Sequence, residues 1–299
     1  MKNKILAIVN PRSGMADIGR YIDRIEDNLK SNGYEVDIQY TTREHNATKI
    51  LEEYDKEFNI ILACGGDGTL NETVEGLYEM NDNVQICFIP SGTTNDFARS
   101  LNISFDRLHI SKNIKDYEEK IIDTGIFNDR VFNYVASFGV FSETSYSTSV
   151  DLKNKIGRLA YILSGIKEIF KIKKYNLKIK LDDIEIEDEF VFGSISNSYY
   201  MGGFKLFKKN QIRMNDGKFE VLLVKTPKNF FQVLKILFKI INGNFNDENI
   251  IFYQVPSIEI ETQNELYWSV DGECGGDVRN LKITNREKYV RFITPKRKK

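Results

Sequence analysis

Within the first hundred residues, three apolar runs suited to buried strands each stop abruptly in a loop of Gly, Ser, Thr and Asn. Residues 5–9 run into Asn10-Pro11-Arg12-Ser13-Gly14, residues 60–63 into Cys64-Gly65-Gly66-Asp67-Gly68-Thr69, and residues 84–89 into Pro90-Ser91-Gly92-Thr93-Thr94-Asn95-Asp96. Glycine weakens regular structure, so glycines placed directly after a strand imply a need for bare backbone there. Ile18, Ile22, Ile25 and Leu29 follow the first loop at helical spacing, and Leu70, Val74 and Leu77 follow the second. Between these units, residues 36–40 read as a strand and 47–54 as a helix. Strand–helix alternation with short connections predicts an α/β domain over residues 1–125, its mostly parallel sheet doubly wound with helices on both faces. In such a sheet ligands bind at the carboxyl ends of the strands, where all three loops fall.

The pattern changes after Asp123. Residues 131–140 are alternating or continuously apolar, and 156–170 read as one helix. Residues 177–181 and 184–187 alternate strictly on either side of Asp182-Asp183, which predicts a hairpin. Further strands are expected at 190–196, 219–225, 257–262, 266–270, 281–284 and 289–293, interrupted by a helix at 229–241. Residues 126–299 therefore predict a β-rich antiparallel sandwich, with the active site in the cleft between the domains. Whether the last strand, near 288–295, stays in this domain or crosses back to the first is open at this stage.

At 299 residues the chain has room for two cores. Forty-two Lys and Arg stand against 43 Asp and Glu, a balance that argues against a nucleic-acid-coating protein. Cys64, Cys87 and Cys274 form no CxxC pair and no cluster with His45 or His109, which points to a reducing cytosol rather than a disulfide framework. The N-terminal apolar run is too short for a signal peptide, and no run reaches the roughly 18 residues that span a bilayer. The expected location is cytoplasmic, with a peripheral station at the inner face of the membrane as an option.

Amide groups free of Cβ atoms at helix N-termini are suited to phosphate. The rim made by the three loops thus predicts a polyphosphate site, with Asp67 aimed at a hydroxyl, a metal or a water. GxxxxGK[ST], GxGxxG and the HRD and DFG signatures are all absent, which excludes a Walker P-loop, a dinucleotide fingerprint and a protein kinase. A second acidic motif, Asp271-Gly272-Glu273, follows a convincing strand. In an extended segment residues i and i+2 point the same way, so both acids are expected to face one cleft. A hairpin turn is the plain alternative for Asp-Gly.

Taken together, Asn10-Pro11-x-Ser13-Gly14, Gly65-Gly66-Asp67-Gly68-Thr69-Leu70-Asn71-Glu72, Pro90-x-Gly92-Thr93-x-Asn95-Asp96-Phe97-Ala98 and Asp271-Gly272-Glu273 resemble the diacylglycerol kinase catalytic-domain family. Lipid kinases belong to that family, and NAD kinase is a distant relative. The resemblance implies transfer of the γ-phosphoryl group of ATP, with Mg²⁺, to a lipid alcohol such as diacylglycerol. It places nucleotide contacts on Asn10, Ser13, Gly14, Thr41, Gly65, Gly66, Asp67, Gly68, Thr69 and Thr94. It assigns the catalytic base to Glu273 or Asp271, which the sequence does not separate, with Asp67 on the nucleotide side. It also places a structural Mg²⁺ on Asp216 and the carbonyls of Arg213 and Lys218, where a plain β-turn fits equally well. Asp123 is expected to link the active-site network to the hinge. An NAD kinase-like enzyme and an ATP-binding sensor without turnover are the competing readings.

Two apolar segments that carry lysines, 229–241 and 156–170, could bring the protein to an anionic membrane; burial within the second domain is the favoured reading for the first of them. An unpaired strand edge in the second domain could join two copies as a homodimer.

Overall fold

The structure, a computed structural model, describes residues 4–14, 18–80, 84–140, 173–208 and 210–296. The segment 156–170 lies outside the described residues.

In the first domain, β1 (Lys4–Val9), β2 (Glu35–Tyr40), β3 (Ile60–Gly65) and β4 (Gln85–Pro90) lie in the order β2-β1-β3-β4, each pair parallel. Every residue of β3 is buried. Helix α1 (Gly19–Ser31) turns Ile22, Ile25 and Leu29 into the core. Helix α2 (Ala47–Glu53) is capped by Asn46, whose side chain accepts from the Lys49 amide. Helix α3 (Asp67–Met80) starts inside the glycine loop. Two further helices, α4 (Asp96–Leu101) and α5 (Arg107–Asn113), and the strand β5 (Glu118–Phe127) were not expected from the sequence. The helices span 6 and 7 residues, too short for an apolar period to repeat.

The remaining strands are β6 (Arg130–Phe132), β7 (Val135–Gly139), β8 (Tyr175–Leu181), β9 (Ile184–Ser196), β10 (Tyr200–Met201), β11 (Phe204–Lys205), β12 (Phe219–Lys225), β13 (Ile250–Val255), β14 (Ser257–Val270) and β15 (Glu273–Thr294). Helix α6 (Phe230–Ile241) lies between β12 and β13. Several runs expected as separate strands are continuous. The register shift between Glu261 and Leu266 breaks the alternation within β14 without ending the strand. Conversely, the expected run 131–140 splits at Asn133-Tyr134 into β6 and β7.

Strands β9 and β14 each pair with β8 through one part of their length and with β7 through another. The sheet thereby folds over itself around a core of Phe132, Phe138, Phe190, Phe219 and Trp268. Strand β15 pairs with strands of both parts of the sheet. Its first half pairs with β14, and Arg291, Phe292 and Ile293 then run parallel to Gln85, Ile86 and Cys87 of β4. One sheet therefore continues from the sandwich into the first domain, and Phe292 joins the first core. Where β15 bends, at Lys288 (φ 51°), its amide donates to Asp123 Oδ1 at 2.7 Å. The other Asp123 oxygen accepts from Gly217 at 2.7 Å, so this acid holds the crossover and the Asp216 turn together.

Among the described residues no helix is long and apolar enough to cross a membrane. Only Val233 and Ile236 of α6 are buried, whereas Phe231 is 79% and Phe238 70% exposed. Burial therefore accounts for one face of that helix and leaves the opposite face uncovered.

Candidate active site

Parallel pairing brings the carboxyl ends of the first-domain strands to one edge. Val9 stands opposite Tyr40 and Cys64, and Gly65 opposite Pro90. Each loop begins at that edge, and the loops interlock. Asn10 Nδ2 donates to Thr69 Oγ1 at 3.0 Å, and the Ser91 amide donates to the Gly65 carbonyl at 2.7 Å. The hydroxyls of Ser13 and Ser91 share a hydrogen bond. Gly14 has φ +69°, and a Cβ there would lie 1.9 Å from the Ser91 carbonyl oxygen. A Cβ on Gly92 would lie 2.7 Å from Gly66 Cα. The need for glycine is thus partly internal: the loops touch backbone to backbone. Thr41 is buried beside this rim, its amide donating to the Val9 carbonyl at 2.9 Å.

Asp67, the first residue of α3, reaches across to the third loop. Its carboxylate accepts from Thr94 Oγ1 at 3.3 Å and from the Asp96 and Phe97 amides at 3.1 and 3.3 Å. It serves as the cap of the neighbouring helix α4 and fixes Gly65, Gly66 and Gly68 relative to Thr94. Burial pushes its carboxyl up, and these donors oppose the shift. Asp96 accepts from the Gly203 amide at 2.9 Å, which ties the β10–β11 hairpin to the rim, and burial pushes it up to about 6.

The two acids of the second-domain motif have different surroundings. Asp271-Gly272 is the two-residue turn joining β14 to β15, with φ of 50° and 83°. The segment is therefore not extended, and the expectation that both acids point the same way is not met. Asp271 is buried, and its oxygens accept from the amides of Asn133 (2.6 Å), Tyr134 (3.0 Å) and Val135 (2.9 Å). Burial outweighs these donors and pushes the carboxyl up to about 7. Glu273 lies at the opening. Its Oε1 stands 3.3 Å from where a Cβ on Gly68 would be, over the first turn of α3. Its Oε2 accepts from Arg130 Nη2 at 2.9 Å, with the Glu273 side chain 49% exposed. The chain thus brings Glu273 against the glycine loop and keeps Asp271 for the backbone.

The sequence reading missed the surroundings of these acids. Arg130 opens β6 after the Asn128-Asp129 hairpin turn, where Phe127 pairs with Arg130. Asn128 has φ 52°, and an Asn-Asp pair between two apolar runs was the available signal. The Tyr134 ring packs against Phe97, and burial, reinforced by nearby Asp67, Asp271, Asp96 and Glu273, pushes its phenol well up. Asn133 Nδ2 donates to Asn71 Oδ1 at 2.8 Å, a direct link from the sandwich to α3.

At the Asp216 turn, the Lys218 amide donates to Asp216 Oδ1 at 3.2 Å. Glu220 is buried nearby. Its Oε2 has no partner, and burial, reinforced by Asp216 and Asp123, pushes it up to about 8. Among the described residues no three acidic, His or Cys side chains form a complete metal set. The oxygens of Asp216 and of the Arg213 and Lys218 carbonyls are hard donors of the chemistry a divalent cation takes.

The chain is similar to known proteins along nearly its whole length. Residues 4–126 match the model of the diacylglycerol kinase catalytic domain, and residues 135–286 match that of the YegS C-terminal NAD kinase beta sandwich-like domain. The diacylglycerol kinase of Bacillus subtilis (strain 168) is 29% identical over 97% of this chain and 96% of its own length. That of Staphylococcus haemolyticus (strain JCSC1435) is 30% identical over 97% of this chain and 87% of its own. A crystal structure of a diacylglycerol kinase from Bacillus anthracis str. Sterne superposes with a TM-score of 0.79 at 26% identity, covering 98% of this chain and 97% of that one. With two family models matching most of its length and a diacylglycerol kinase 30% identical over 97% of it, the chain belongs to the diacylglycerol kinase catalytic-domain family and is a kinase.

Proposed function

We propose that the protein transfers the γ-phosphoryl group of ATP to the hydroxyl of a membrane lipid, with diacylglycerol as acceptor and phosphatidic acid as product. The observation that carries this reading is Glu273 Oε1 over Gly68 at the head of α3, where a phosphate held by the rim would meet an alcohol. The amides of the Ser13-Gly14 and Gly65-to-Thr69 loops would hold the phosphates, with Asn10, Thr41 and Thr94 shaping the rim. Phosphoryl transfer requires positioning, charge neutralisation and one base. Glu273 takes the proton of the acceptor hydroxyl as its oxygen bonds to the γ-phosphorus and the bond to the β–γ bridging oxygen breaks, releasing ADP. Asp271, saturated by amides, shapes the turn that presents Glu273, and Asp67 orients the rim. Mg²⁺ bound with ATP supplies charge neutralisation on the phosphates. A second Mg²⁺ on Asp216 and the Arg213 and Lys218 carbonyls would stiffen the turn that Asp123 ties to the crossover.

The domain boundary near residue 125 falls within β5, and the packing of α1 with α5 and of α2 with α3 supports a doubly wound first sheet. The uncovered face of α6 carries Phe230, Phe231, Phe238 and Ile241, with Lys235 beside them. An apolar crest flanked by lysine suits the headgroup boundary of a bilayer, which supports peripheral attachment at the cytoplasmic face. The outer edge of β13 supports pairing of two copies.

The test is incubation with γ-labelled ATP and Mg²⁺ against diacylglycerol, sphingosine, ceramide, polyprenol and NAD. Label in phosphatidic acid is the expected result. Transfer to another lipid would change the substrate, transfer to NAD would overturn the lipid reading, and transfer to none with ATP still bound would favour a sensor.

A further inference from the structure

We infer that Arg130 is a positioning residue that clamps Glu273 Oε2 and so aims Oε1 over Gly68 for proton abstraction. The inference rests on Glu273 as the base. Arg130 Nη2 holds Glu273 Oε2 at 2.9 Å, while Nη1 donates to the Cys274 carbonyl at 2.9 Å. The guanidinium is thus gripped at two points: one fixes its own position against β15, the other clamps a single oxygen of the acid. Oε1 is left to project over Gly68. A base needs one oxygen free and the carboxylate turned correctly, and a planar fork provides that orientation better than a single point charge.

Asp67 and Glu72 stand on α3, Asp271 in the turn before Glu273, and the Tyr134 phenol between β6 and β7. Among the described residues Arg130, its side chain 32% exposed, is the cation in contact with Glu273. Removing it frees Oε2, and Oε1 then loses its fixed direction over Gly68.

The experiment compares kcat and the KM for ATP of the wild type, Arg130→Met, Arg130→Gln and Arg130→Lys. Arg130→Met should lower kcat by about tenfold or more, with the KM for ATP within about twofold of wild type. Arg130→Gln keeps a donor for the Cys274 carbonyl and should show the same loss in kcat, which preserves the test if the Met variant folds poorly. Arg130→Lys keeps the charge without the planar fork and should recover only part of the loss. Adding Arg130→Met to Glu273→Gln should produce no further loss. Wild-type kcat in Arg130→Met and Arg130→Gln, with Glu273→Gln inactive, would overturn the role of Arg130 and leave the base in place. Wild-type turnover in Glu273→Gln would overturn the base itself.

Discussion

The first-domain rim and the second-domain acid turn meet at one cleft but are built differently. The rim is made of backbone: Gly14 against Ser91, Gly66 against Gly92, and the Gly65 carbonyl bound by the Ser91 amide. It cannot accept extra atoms, whereas many of its side chains only trim it. The acid turn is made of side chains, and two acids one residue apart have separate tasks. Asp271 fixes the backbone of residues 133–135, and Glu273 faces the opening. A backbone site fails by overcrowding and a side-chain site by deletion.

The contrast breaks most sharply at Asp271. Asp271→Ala leaves buried amides of Asn133, Tyr134 and Val135 without acceptors, and each such group costs about 1–3 kcal/mol. Denaturant unfolding should show a loss of about 3 kcal/mol or more, with activity falling because the fold does. Next in size, Glu273→Gln should lose about 100-fold or more in kcat while its unfolding midpoint stays at the wild-type value. Loss of stability in Glu273→Gln, or stable inactivity in Asp271→Ala, would reverse the division of labour.

A smaller effect concerns pH. Asp96 is raised to about 6 and Asp271 to about 7, both above the ordinary 3.8 of an unfolded Asp. The folded protein therefore holds these protons more tightly than the unfolded chain. Their contribution is complete below about pH 4 and is lost as pH rises through 6 and 7. Between pH 5 and pH 8 the denaturant midpoint should fall, and Asp271→Asn should flatten that decline. A midpoint that rises over this interval would contradict the burial of these carboxyls. The smallest effect belongs to Thr94→Val. It removes one donor to Asp67 and leaves the Asp96 and Phe97 amides, so the KM for ATP should rise by no more than about fivefold.

What could be read in the sequence follows from the same contrast. The rim was legible because apolar runs such as 60–63 and the glycines after them are local signals whose pairing is set by parallel strands. The hairpin at Asp182-Asp183 was legible for a similar reason: Leu181 pairs with Ile184 across a two-residue turn. The separation of Asp271 from Glu273 was not, because it depends on the left-handed backbone of a turn and on amides 136 to 138 residues away in the chain. Arg130 was hidden likewise, since its partner Glu273 is 143 residues distant. The exposed face of α6 was misjudged because an apolar helix has the same composition whether or not something covers it.

The most direct test of the central claim is a crystal structure of the full-length protein with Mg²⁺ and a non-hydrolysable ATP analogue. The account predicts the triphosphate on the amides of Gly14 and of Gly66 to Thr69, with the γ-phosphate facing Glu273 Oε1. A nucleotide bound elsewhere, or a rim closed by its own side chains in the complex, would contradict it.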